Sequence, residues 1–334
     1  MIAPLPDAHP ANWVDRLAPD VLRPWLRLGR FDRPIGIWLL MLPGWQGIAL
    51  ICAGRGTWPD PRLLALFALG AALMRAAGCA YNDIVDMDLD AQVARTALRP
   101  VASGKISVAG AWAFIALCAL ASLVILLSLN LMSLILGVAS LLLIAAYPFM
   151  KRITWWPQAW LGLTFNWGAL LGAAAATGGP SSARVLSMAV PAWAKGIDLK
   201  LYAGGPGLAA LLLYASGIAW TLGYDTIYAV QDLEDDALAG VRSSARRLGA
   251  TAPSFVLAFY LLAVALALAA WRQAGLGLLF LPFVALYAGL LVRQPLKLDL
   301  ADPGRALSLF KSNALAGLVL FVGLAAGAVR LYAG

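Results

Sequence analysis

The chain has 334 residues, of which 62% are hydrophobic and only 13% charged, with a mean hydropathy of +0.80. A soluble domain carries about a quarter charged residues, so this much apolar side chain belongs in a membrane. The net charge of +8 comes from basic residues set between apolar runs, where they fix topology and meet lipid headgroups, and nucleic acid is excluded as a partner.

Taken in chain order, residues 1–34 form a cytoplasmic leader. It carries Asp7, Asp15, Asp20 and several arginines, with neither the apolar run of a signal peptide nor the acid-poor character of a mitochondrial transit peptide. Within it, residues 12–30 mix Trp13, Val14, Leu17, Val21, Leu22, Trp25, Leu26 and Leu28 with Arg and Asp, which predicts a helix lying in the membrane interface. Residues 35–334 form the transmembrane domain. Nine apolar runs follow, near 35–53, 62–81, 107–128, 132–149, 157–177, 208–231, 253–271, 275–292 and 309–332, each long enough to cross about 30 Å of hydrocarbon. The stretch 178–207, with Pro180, Pro191, Pro206, Lys195, Asp198 and Lys200, interrupts them and is expected to be an external loop with a short helix around 185–193. The fold class is therefore all-α and polytopic.

Basic residues give the orientation. With the N-terminus cytoplasmic, 17 Lys and Arg fall on the cytoplasmic side and 7 on the other, with Arg75 inside a span, so the expected arrangement is N-in and C-out. Cys52, Cys79 and Cys118 lie apart in apolar stretches and far from the single His9, which leaves no disulfide framework and no zinc cluster.

The acidic residues carry the chemistry. Of 17 Asp and Glu, four lie in Asn82–Asp90 (NDIVDMDLD) and four in Asp232–Asp236 (DLEDD), with Asp225 just upstream. Each cluster closes a span, where carboxylates are costly unless paired or bound to a cation. At about 100° per residue, Asp83, Asp86 and Asp90 share one helix face within roughly 60°, and Asp88 points away. Asp225, Asp232 and Asp236 fall within roughly 40°, and Glu234 lies opposite. Two carboxylate stripes without His or Cys suit Mg²⁺, whose shell is completed by a diphosphate. Arg99, Lys151 and Arg152 are the cations expected to bind that diphosphate, with Arg95, Lys105 and Arg242 nearby in the sequence. Arg75 lies about two turns before Asp83. Snorkelling toward the headgroups and pairing with an acid or an anionic substrate both stand open for it. Loop-end acids of a cation or metabolite transporter are the rival reading, but transporters hold such acids near the bilayer midplane, not at helix ends on one side.

At these residues the chain resembles the UbiA superfamily of membrane prenyltransferases, in particular its 4-hydroxybenzoate branch. The matching stretches are RFDRPIG (30–36), LMRAAGCAYNDIVDMDLD (73–90), RTALRPVASG (95–104), YPFMKRITWWPQAWLG (147–162) and YDTIYAVQDLEDDALAGVRSSARRLG (224–249), with a weaker match in FKSNALAGLVLFVGL (310–324). The resemblance implies nine transmembrane helices around a central cavity. It places Mg²⁺–diphosphate aspartates at Asp86, Asp90, Asp232 and Asp236, completes the first motif with Asn82 and Asp83, and puts an arginine of the site at Arg152. The run Arg99-Pro100-Val101-Ala102-Ser103-Gly104 departs from the family's usual RPLPSG-like sequence yet keeps its basic residue, and the 178–207 loop is longer than usual.

The expected activity is transfer of a polyprenyl group from polyprenyl diphosphate to the ring carbon ortho to the hydroxyl of 4-hydroxybenzoate, as in ubiquinone biosynthesis. A naphthoate, homogentisate or haem acceptor is the alternative within the superfamily. Tyr147, Tyr224 and Tyr228 offer faces to an allylic cation. Arg75 and Arg33 are the cations suited to a benzoate carboxylate, and Asp236 or Asp225 to accepting a proton. The expected location is the inner (plasma) membrane of a bacterium, with membrane lipid as surroundings and the active site cytoplasmic.

Overall fold

The computed structural model describes residues 12–92, 96–186, 207–233 and 243–330, without the side chains of Lys151 and Asp232. Among these residues the structure is helical throughout, with no strand and one isolated bridge between Asn130 and Ser181. Among the described residues, eight helices are long and apolar enough to cross a membrane. The expected run at 275–292 is a ninth long helix, Phe280–Lys297, whose last turns carry Arg293, Gln294 and Lys297 and are accordingly less apolar. The described residues group into two units.

The first unit comprises Met1–Trp38 and Ala68–Ile125. The leader forms two short helices, α1 (Trp13–Leu17) and α2 (Arg23–Leu28), where the sequence predicts one helix over 12–30. Pro19 explains the break, because a residue before proline is driven out of the α region, and Ala18 is extended at φ −76°, ψ 141°. Asn12 caps α1 by accepting from the Asp15 amide at 3.0 Å, and Arg27 of α2 binds Asp15 at 2.7 Å, so the two helices are tied together. Trp13, Leu17, Val21 and Leu22 stay exposed.

Helix α3 (Ile35–Gly54) starts in this unit, and α4 (Pro61–Val85) ends in it. A single turn, α5 (Met87–Asp90), follows, and α6 (Val108–Ser128) returns. Leu28, Ala80, Val101, Ile106 and Ala111 form one buried apolar cluster, flanked by Trp25 and Phe114. That cluster pins α2, the end of α4, the start of α6 and the turn 96–107 to one another. Burial of such side chains is worth about 1.5–3 kcal/mol each for the larger ones, which makes the turn carrying Arg99 a fixed feature.

The second unit comprises Leu39–Phe67 and Leu126–Gly334. Its helices are α7 (Leu131–Ile153), α8 (Pro157–Ala176), α9 (Gly207–Ala229), α10 (Ser244–Leu248), α11 (Ala252–Ala274), α12 (Phe280–Lys297), α13 (Pro303–Lys311) and α14 (Asn313–Ala326). Helix α9 packs on both α8 and α11, α8 packs on α7, and α12 lies against α11 and α14. Without a hydrophobic force between helices in lipid, small residues and internal hydrogen bonds do the joining. Gly44 and Gly172 meet so closely that a side chain on Gly172 would strike the backbone of Gly44. Trp220 donates to Asn313 at 2.8 Å and Tyr260 to Gln294 at 2.6 Å, both fully buried, linking α9, α11, α12 and α14. Asn130 caps α7 by accepting from the Ser133 amide at 3.0 Å, a bond worth about 1 kcal/mol.

Candidate active site

The first aspartate motif sits where α4 ends. The sequence predicts a continuous helix through Asp90, and the structure breaks it at Asp86, whose φ of −99° and ψ of 10° leave the helical region. The face is kept because the i−4 hydrogen bonds continue across the break, from the Asp86 amide to Asn82 at 2.9 Å and from the Asp90 amide to Asp86 at 2.7 Å. Asp83, Asp86 and Asp90 are accordingly buried, at 0%, 8% and 6% exposure, while Asp88 is exposed. The face derived from 100° per residue is the face the fold buries.

Two arginines hold these carboxylates. Nη2 of Arg30 donates to Oδ1 of Asp83 at 2.6 Å, and Nη1 of Arg30 donates to the Arg27 carbonyl at 3.0 Å. Nη1 of Arg99 donates to Oδ2 of Asp90 at 2.7 Å and lies 3.5 Å from Oδ1 of Asp83. Charge-assisted bonds of this kind are the strong ones. Thr96 reinforces the turn by donating to the Asp90 carbonyl at 3.0 Å. Burial pushes the Asp90 carboxyl above its ordinary range, and the neighbouring charges of Asp83 and Asp86 add to this; Arg99 works in the opposite direction. Oδ2 of Asp83 and Oδ1 of Asn82 are buried without a hydrogen bond. Buried oxygens of this sort require a partner.

Arg30 is a site residue that reading by spacing passes over. It is the one non-glycine residue with positive φ among the described residues, at 59°. Its partner lies 53 positions away, which no local pattern reveals. The signal available in the sequence was its place in the RFDRPIG stretch. Asp32, in the same stretch, is buried; its Oδ2 accepts from Arg33 at 3.0 Å and its Oδ1 makes no hydrogen bond. Arg75 lies with its guanidinium against Gly36 in the first turn of α3.

In the second unit, Asp225 and Tyr228 are half-buried on the last two turns of α9. That helix tightens to a 3₁₀ turn over Val230–Asp232, where the sequence predicts a continuous α-helix. Tyr224 is buried with its ring 5.2 Å from Trp220 and 5.9 Å from Phe310, so it is a packing aromatic. The ring of Tyr228 lies 4.7 Å from that of Phe310, tilted by 53°. Arg152 is exposed at the end of α7. Glu234, Asp236, Arg242, Arg95 and the side chains of Lys151 and Asp232 lie outside the described residues, as does 187–206 of the expected external loop. Among the described residues no three Asp, Glu, His or Cys gather as a metal cluster.

A model of the UbiA prenyltransferase family matches residues 40–321. The chain belongs to the UbiA prenyltransferase family. Relatives of this UbiA-family chain include the protein named 4-hydroxybenzoate polyprenyltransferase, mitochondrial, of Arabidopsis thaliana, 40% identical over 317 residues that cover 95% of the chain and 72% of the relative. The protein of the same name from Rattus norvegicus is 41% identical over 310 residues, 93% of the chain and 76% of the relative. Among solved structures, the apo form of a UbiA homolog from Aeropyrum pernix K1 is similar with a TM-score of 0.67 and 28% identity, covering 86% of this chain and 96% of that one. A UbiA homolog from Archaeoglobus fulgidus bound to GPP and Mg²⁺ shares the fold at a TM-score of 0.58 and 17% identity, over 92% of this chain and all of that one.

Proposed function

We infer that this UbiA-family chain transfers a polyprenyl group from polyprenyl diphosphate to the ring carbon beside the hydroxyl of 4-hydroxybenzoate and releases diphosphate. The observation that carries this reading is the identity of about four residues in ten, along nine-tenths of the chain, with proteins bearing that activity in their name. Buried carboxylates at the end of a membrane-crossing helix supply the chemistry to match.

The oxygen donors fit a hard divalent cation. Asp83 and Asn82 keep buried oxygens without hydrogen bonds, burial disfavours the charge on Asp90, and neither motif contains His or Cys. Asp86 and Asp90 would hold Mg²⁺ from the first motif, with Asp232 and Asp236 of the second motif assigned on sequence alone. When bound, Mg²⁺ takes up charge on the departing diphosphate. Arg99, Lys151 and Arg152 bind the diphosphate oxygens as charge builds on them. Loss of diphosphate leaves an allylic cation, which the face of Tyr228 steadies. The electron-rich ring carbon ortho to the phenol hydroxyl attacks that cation, the new C–C bond forms, and the ring proton passes to a carboxylate, Asp225 or Asp236. Apolar helix walls keep water from quenching the cation.

The benzoate carboxylate needs a cation distant from the reacting carbon. Arg75, about two turns before Asp83 on α4, is taken as that anchor, with Arg33 as the alternative. A guanidinium fork binds a carboxylate bidentately and so fixes ring orientation as well as affinity.

For location, the named relatives are mitochondrial and give the bacterial plasma membrane no support. What stays in the proposal is an N-terminus and active site on the side where 17 of the basic residues fall. Purified protein incubated with prenyl diphosphate and acceptor should release diphosphate. A chain that conducts cations and leaves prenyl diphosphate intact would be a transporter instead.

A further inference from the structure

The Arg75 guanidinium lies against a residue with no side chain. Gly36 is buried in the first turn of α3, and a β-carbon built on it would come within 2.5 Å of Nε, 2.9 Å of Nη2 and 3.0 Å of Cζ of Arg75. The contact is with the guanidinium itself, not with the aliphatic stem. The two glycines of α4, Gly70 and Gly78, have open space around the same position, so tightness is not general to this region. Glycine also weakens a helix by about 0.5–1 kcal/mol relative to alanine, and local propensity therefore does not explain Gly36. Pro34, two residues earlier, already presets the helix start. What the glycine provides is a flat backbone floor on which a planar guanidinium lies.

We propose that Gly36 is a specificity-determining residue: it sets the height and tilt of the Arg75 guanidinium and thereby the fit of the acceptor's carboxylate. This rests on the reading of Arg75 as the carboxylate anchor. A methyl group at position 36 meets the far end of a flexible side chain, so the helix stays in place and the guanidinium moves. The displacement required is a few tenths of an ångström to one ångström, enough to spoil a bidentate contact whose bonds are 2.7–2.9 Å long. The diphosphate end of the reaction is held by other residues and is untouched.

The test is a two-by-two set of wild type, Gly36→Ala, Arg75→Ala and Gly36→Ala/Arg75→Ala, with KM measured for 4-hydroxybenzoate, for prenyl diphosphate and for the neutral 4-hydroxybenzamide. Gly36→Ala should raise KM for 4-hydroxybenzoate about tenfold, in keeping with loss of a charge-assisted hydrogen bond, and leave KM for prenyl diphosphate and for the amide unchanged. In the Arg75→Ala background the same substitution should have no further effect, because the group it displaces is gone. If Gly36→Ala costs as much in that background as in the wild type, it acts through packing and the proposal falls, while the Arg75 reading stands. If Arg75→Ala leaves both KM values unchanged, the anchor reading falls and the role of Gly36 falls with it. Should Gly36→Ala yield no folded protein, Arg75→Lys, which keeps the charge and removes the planar fork, replaces it: a KM raised for 4-hydroxybenzoate alone supports the proposal, and an unchanged KM overturns it.

Discussion

Arg30 donates a 2.6 Å hydrogen bond to Asp83, a carboxylate with no exposed surface. The arginine does so from the left-handed backbone region, at φ 59°, a conformation that costs a non-glycine residue about 1–3 kcal/mol. Its leader helix is held in turn by the Arg27–Asp15 pair. The leader therefore supplies one counter-charge to the first aspartate motif, and Arg99 supplies the other.

Removing Arg30 leaves the fully buried Asp83 with only the longer 3.5 Å contact to Arg99, and breaking a buried pair costs about 3–5 kcal/mol. Arg30→Ala should lower the melting temperature of the detergent-solubilised protein strongly. Arg30→Ala combined with Asp83→Asn should recover much of the loss. A melting temperature unchanged by Arg30→Ala would show that the pair contributes nothing to the fold.

Asp86→Asn and Asp90→Asn should each lower prenyl transfer by about a hundredfold or more while the protein still inserts in the membrane. Asp232→Asn and Asp236→Asn should do the same. Asp88→Asn, at an exposed position, and Glu234→Gln should be far milder. Equal damage from Asp88→Asn and Asp86→Asn, measured as labelled prenyl incorporation, would remove the facial argument.

Metal removal gives a separate check. Chelation with EDTA should abolish transfer and added Mg²⁺ should restore it. Mn²⁺ should substitute and Zn²⁺ should not, since the donors are oxygens. Full turnover in a metal-free preparation contradicts the assignment of the carboxylates as cation ligands.

Topology can be read with reporter fusions. Fusions after residues 94, 152 and 245 should report one side of the membrane, and fusions near 57, 195 and 334 the other. A shared signal at 152 and 195 would mean that the stretch between them does not cross as assigned.

What was legible in the sequence was periodic. Asp83, Asp86 and Asp90 could be placed on one face because the i−4 hydrogen bonds persist through the break at Asp86. Eight of the nine apolar runs fall on helices long and apolar enough to cross a membrane among the described residues, because span length follows from hydrocarbon thickness. The break itself was not legible, since no proline or glycine marks it. The leader's division was: Pro19 forbids a helix through Ala18, and an apolar pattern over 12–30 hides that local rule. The Arg30–Asp83 pair and the Gly36–Arg75 contact join residues far apart in sequence, so only the folded chain brings them into view.

The most direct measurement is the product formed by purified protein from polyprenyl diphosphate, Mg²⁺ and a panel of acceptors. The account predicts 4-hydroxybenzoate prenylated at the carbon beside its hydroxyl, with one diphosphate released per product. Prenylation of homogentisate or a naphthoate, with 4-hydroxybenzoate left untouched, would contradict it.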